Sequence, residues 1–203
     1  MRRSLLPKAS MNIELEKGEL LLAISRAAIS ASFGEPIPVD RSANWLQLPG
    51  ASFVTIKMNG NLRGCIGTLE AYRSLSEDVW QNACGAAFRD PRFRPLSSNE
   101  LPRIDIEVSV LSQPDRISFT DERHALSQLR PHIDGVIFQY GNKRSTFLPQ
   151  VWEQLPDAVA FMAQLKQKAG VAADFWSPDI TLQRYTVSKR REQPVSTIQG
   201  SHG

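Results

Sequence analysis

The stretch Leu62-Arg63-Gly64-Cys65-Ile66-Gly67, entered through Asn59-Gly60, places a thiol and a guanidinium close together among glycines. On a regular strand side chains alternate faces, so Arg63 and Cys65 are expected on one side and apolar Leu62 and Ile66 on the core side. The glycines clear bulk around the sulfur, leaving room for a ligand or for a neighbouring backbone. Only a thiolate reacts, and a guanidinium on the same face favours it, so Cys65 is a candidate nucleophile or sulfur carrier. Glu107, on the polar face of a later strand, and Asp90 are candidates to relay its proton. The bland alternative is that Cys65 is an inert small residue in an apolar strand. Neither His124 nor His132 stands in a recognisable relation to it, and both read as surface histidines.

A second candidate chemistry is anion binding. Arg63, Arg92, Arg144 and Lys168 could hold phosphate or carboxylate oxygens, with Asp90 and Gln150 completing a ligand site. Against it, Asp90 and Arg92 could pair within their own loop and Arg63 could pair with Glu107, leaving no free positive charge. Gln150, after Pro149, could instead satisfy backbone groups at a strand end. Trp152, Phe161 and Met162 read as core. The glycines form no phosphate-binding fingerprint and no Cys/His cluster has metal-ligand spacing, so neither metal nor cofactor is expected.

Positioning these residues requires a folded body, and 203 residues with 41% hydrophobic content supply one. The net charge is +3, but it sits at the ends. Arg2, Arg3 and Lys8 lie in residues 1–8, and Lys189, Arg190, Arg191 and Glu192 in 189–203, so the body carries 18 basic against 20 acidic residues. That distribution argues against a nucleic-acid footprint, which needs a basic patch on the fold itself. Met1 to Lys8 lacks the apolar stretch of a secretory signal and no run suits a membrane span. Cys65 and Cys84 are too few for a disulfide framework and read as free thiols of a cytoplasmic protein.

Residues 1–13 are weakly patterned, and Met11 is a candidate natural start. A helix is expected from Glu16 to Phe33, stopped by Gly34, then strands 51–58 and 61–69 around the Asn59-Gly60 turn. Ser74 and Glu77 predict a capped helix to Phe88. The two prolines of Arg89–Pro95 predict a loop. Alternation over Arg103–Leu111 predicts a half-buried strand. There follow a short helix over 121–130, a second hairpin over 135–148, a helix over 157–169 ended by Gly170, and a strand over 180–187. Ser188–Gly203 reads as a disordered tail, and residues 14–187 as one domain. Gly60-Asn61-Leu62-Arg63-Gly64 lines up with Gly141-Asn142-Lys143-Arg144-Ser145, each in a hairpin followed by a helix, which suggests an internal duplication.

Several segments together resemble the AMMECR family, also called AmmeMemoRadiSam system protein A: Leu62–Gly67, Asp90–Phe93, Ile106–Leu111, Asp134-Gly135, Thr146–Trp152 and Lys168–Gly170, with Trp176 downstream. The resemblance covers about residues 15 to 190. It implies an α+β fold of two β/α repeats around a single curved, largely antiparallel sheet with flanking helices. For function it implies partnership with a Memo-type protein and a radical SAM enzyme, with no settled activity. Two readings follow: an enzyme component whose reactive group is Cys65, or a non-catalytic adaptor presenting an anion pocket or a protein surface.

Overall fold

The computed structural model describes residues 8–192, with side chains from residue 14 onward; the expectations for residues 1–7 and 193–203 fall outside them. In chain order the elements are α1 (Lys8–Ser32), α2 (Asn44–Gln47), β1 (Ala51–Met58), β2 (Asn61–Gly67), α3 (Leu75–Phe88), β3 (Ile104–Leu111), β4 (Asp115–Ile117), α4 (Glu122–Ser127), β5 (Gly135–Tyr140), β6 (Lys143–Phe147), α5 (Ala158–Lys168), β7 (Thr181–Tyr185) and β8 (Val187–Arg191). Short 3-10 turns cover Ser98–Arg103 and Pro149–Glu153.

The chain is α+β, as the alternation of helical and strand periodicities predicts. Its strands fall into two four-stranded sheets, β2-β1-β3-β8 and β4-β7-β5-β6, where one curved sheet was expected. The cause is local: each hairpin takes as its next neighbour the strand that follows its own helix. Thus β2-β1-β3 recurs as β6-β5-β7, with α3 and α5 as the intervening helices. The described residues divide into two compact units, 8–110 with 189–192, and Leu111–Ser188.

In the first unit α1 and α3 cover one face of the sheet. Ile24, Ala28 and Ile29 of α1 and Val79, Ala83 and Ala87 of α3 pack with Val54, Ile56, Ile106 and Val108. Gly34 ends α1 region with φ +80°, a conformation glycine adopts at no steric cost. The helix starts at Lys8 rather than Glu16, because no glycine or proline interrupts Lys8–Lys17. Ser74 caps α3 by accepting from the Glu77 N–H. In the second unit α5, capped by Asp157, lays Phe161, Met162 and Leu165 on Val136, Phe138 and Leu182. Trp152 stacks on Phe161 with ring centroids 3.7 Å apart.

Two corrections concern the site and the tail. The β1–β2 pairing runs Met58 with Asn61 and Lys57 with Leu62, then jumps to Ile56 with Gly64 and Thr55 with Cys65. Arg63 is thus an extra residue, a β-bulge, and the simple alternation across 62–67 fails there. Leu62, expected in the core, is 42% exposed, while Arg63 is buried. The tail correction is at Ser188: Val187–Arg191 form the fourth strand of the first sheet. Arg26 donates to both Glu192 carboxylate oxygens at 2.7 and 2.6 Å, and the Ile106 N–H reaches the same carboxylate at 2.9 Å. Charge pairing, invisible to an apolar-periodicity argument, fixes this end of the chain.

Candidate functional site

The bulge decides what Arg63 does. Its side chain donates to Glu100 through Nε at 3.0 Å and Nη2 at 3.2 Å, and to the Arg94 and Pro95 carbonyls at 2.9 and 3.3 Å. Glu100 also accepts from the Ser97 N–H and hydroxyl at 2.9 and 2.8 Å. The Arg63 hydrogen bonds, helped by those of Ser97, bring the Glu100 carboxyl down to about 2. Arg63 therefore ties β2 to the loop beyond α3, and its expected partner Glu107 lies elsewhere, 3.7 Å from Lys57 Nζ.

Cys65, Asp90 and Arg92 do come together, through the main chain of Cys65. Asp90 accepts its N–H at 2.8 Å, and Arg92 donates to its carbonyl at 3.3 Å. Because β2 is an edge strand, these two side chains satisfy backbone groups that a further strand would otherwise pair. Arg92 also grips Asp90 at 2.7 and 3.0 Å. The Arg92 hydrogen bonds, with those from the two backbone N–H groups, hold the Asp90 carboxyl well below the usual carboxylate range, and Asp90 in turn raises Arg92. The pairing of Asp90 with Arg92 within their own loop is thus present. The Cys65 thiol is half-buried and free, with Thr55 Oγ1 3.2 Å from its sulfur.

Gln150 is exposed on the 3-10 turn Pro149–Glu153. It belongs to the second unit, as do Arg144 and Lys168, whereas Arg63, Cys65, Asp90, Arg92 and Glu107 belong to the first. Lys168 donates to the Thr146 carbonyl at 2.9 Å. Among the described residues no group of His, Cys, Asp and Glu could hold a metal ion.

Three contributors escaped the sequence. Thr55 faces Cys65 only because the bulge shifts the register by one residue. Glu100 was signalled by Ser97, since Ser-x-x-Glu is a capping pattern, but nothing linked it to Arg63. Asp78, fully buried, accepts from the Ser52 N–H and hydroxyl, Thr68, Arg73 and Asn82 at 2.6–2.9 Å. That network ties the first turns of α3 to β1 and to the end of the hairpin.

A family model described as AMMECR1 matches residues 22–190. The chain belongs to the AMMECR1 family. A relative in Methanothermobacter thermautotrophicus is 36% identical over 176 residues, covering 84% of this chain and 91% of that protein. One in Sulfolobus acidocaldarius is 39% identical over 173 residues, covering 81% and 76%. The crystal structure of the uncharacterized protein PH0010 from Pyrococcus horikoshii superposes with a TM-score of 0.69 at 29% identity, covering 88% of this chain and 92% of that one. The AMMECR1 match contains the whole Arg63–Glu100 and Cys65–Asp90–Arg92 arrangement. No helix among the described residues of this AMMECR1 protein is long and apolar enough to cross a membrane.

Proposed function

We propose that this AMMECR1 domain is a non-catalytic binding or adaptor module of the cytoplasm, working beside a Memo-type protein and a radical SAM enzyme. One observation carries the reading: the charged side chains of the Arg63 and Asp90–Arg92 segments are engaged with the protein's own main chain and carboxylates. Groups committed in this way build a rigid surface instead of a reaction centre with uncommitted acids and bases. Arg92, whose side chain is half-exposed beside Asp90, is the member of the set left to meet an anionic group of a partner. The test is calorimetric titration of the purified chain with the Memo-type and radical SAM proteins encoded in the same genome. Saturable binding that survives Cys65→Ala supports the adaptor; no binding to either protein sinks it.

A second reading keeps Cys65 as a reactive group, favoured by the Thr55 hydroxyl 3.2 Å from its sulfur, which can donate to a thiolate. Alkylation by iodoacetamide separates the two. Modification of the folded protein at or above the rate of an unhindered thiol favours chemistry at Cys65, and modification only on unfolding favours the adaptor.

A further inference from the structure

In the second unit a groove of about 880 Å³ runs beside α4 and α5. Leu126, Val159, Ala163 and Ala173 line it, and Val159 leaves 63% of its surface exposed. Glu122, also in the lining, is tethered from beneath by Lys166, a lysine 1% exposed whose Nζ lies 2.8 Å from the Glu122 carboxylate and 3.0 Å from the Phe175 carbonyl. Two further charges belong to the lining, Arg123 on α4 and Asp174 in the segment after α5. Both are exposed, and neither has an ion pair among the described residues.

We propose that a second copy of this chain covers the groove through a two-fold contact. A two-fold interface is self-complementary: if residue i meets residue j, then j meets i. One cation and one carboxylate in the lining of the same apolar groove, neither ion-paired among the described residues, meet that condition, because Arg123 of each copy can pair with Asp174 of the other while Val159 and Leu126 are buried between them. Any single partner of uniform charge would leave Arg123 or Asp174 facing a like charge. The lining is smaller than the roughly 20–30 residues a side of a standard stable interface. The association is accordingly weak and concentration-dependent. It stands apart from the adaptor reading, which concerns the first unit.

Sedimentation velocity of the full chain decides it, over a concentration series reaching about 1 mM. The wild type should shift toward twice the monomer mass as concentration rises. Arg123→Asp and Asp174→Arg should each weaken association by about tenfold or more, and the double variant Arg123→Asp/Asp174→Arg should recover it. Val159→Asp should abolish it, with melting curves confirming that each variant folds. A wild type that stays monomeric throughout overturns the proposal. So does a dimer indifferent to the single reversals, or one the double variant fails to restore.

Discussion

Gly64 and Ser145 occupy the same place in the two hairpins, each three cross-strand pairs from its turn and each facing a helix carbonyl. Gly64 stands opposite Ile56 and Ser145 opposite Phe138. A Cβ on Gly64 would lie 2.0 Å from the Ala86 carbonyl oxygen of α3, whereas the Ser145 hydroxyl donates to the Leu165 carbonyl of α5 at 2.6 Å. The first hairpin approaches its helix too closely at this position to admit a side chain, whereas the second leaves room for the serine hydroxymethyl group. At the next pair the likeness continues, since Arg92 donates to the Cys65 carbonyl and Lys168 to the Thr146 carbonyl.

Gly64→Ala should therefore destabilise the protein, although alanine is the smallest replacement. The clash is with backbone, which cannot swing away, so the sheet and α3 must part. A cost of about 1–3 kcal/mol is expected from urea melts. Ser145→Gly should cost less, about 1 kcal/mol, because it removes one hydrogen bond without forcing the layers apart.

Arg63→Gln should be more damaging than a surface substitution. It leaves the Glu100 carboxylate with its main counter-charge gone in a largely buried place, a loss of about 3–5 kcal/mol. Adding Glu100→Gln should recover part of that loss, because no uncompensated charge then remains. A double-mutant cycle by denaturant melts measures the coupling. Additive losses would remove the ion pair from the account of this fold.

Acid should weaken the fold through Glu100. Its folded-state carboxyl titrates near 2, below the ordinary 4.5, so its contribution is complete above the unfolded value and disappears as pH falls from about 4.5 through about 2. Asp90, also depressed, acts in the same direction. Urea midpoints measured from neutral pH down to about 3 should fall, and Glu100→Gln should make that fall shallower.

Ending the chain after Ser188 should lower the melting temperature. It removes Glu192, held by Arg26 and the Ile106 N–H, and Arg190, whose stem lies over Gly18 and whose guanidinium reaches Glu19 at 2.9 Å. Losing charge-assisted hydrogen bonds at about 2 kcal/mol predicts a drop of about 4–8 °C for a chain of this size. Glu192→Ala in the full chain should reproduce much of it, as calorimetry or a thermal scan can check.

The strands β1 and β5 and the Ser74 cap were legible because their signals are local: alternation, a two-residue turn, an oxygen before an apolar run. The pairing of Arg63 with Glu100 was not, since thirty-seven positions separate the two and one inserted residue decides which way Arg63 turns. Gly64 and Gly67 carried a hint of irregular strand geometry, yet glycine marks an open site and a close backbone approach alike. Strand β8 stayed hidden for another reason: Val187–Arg191 has almost no apolar alternation, and ion pairs such as Arg191 with Asp105 set its place.

Asp90 and Arg92 take hold of Cys65 by its peptide atoms, which every amino acid but proline possesses. The architecture is thus indifferent to what projects from that position, within the limits of size. Cysteine there is an interchangeable fitting on a fixed bracket, and exchanging it for serine or alanine interrogates the sulfur alone.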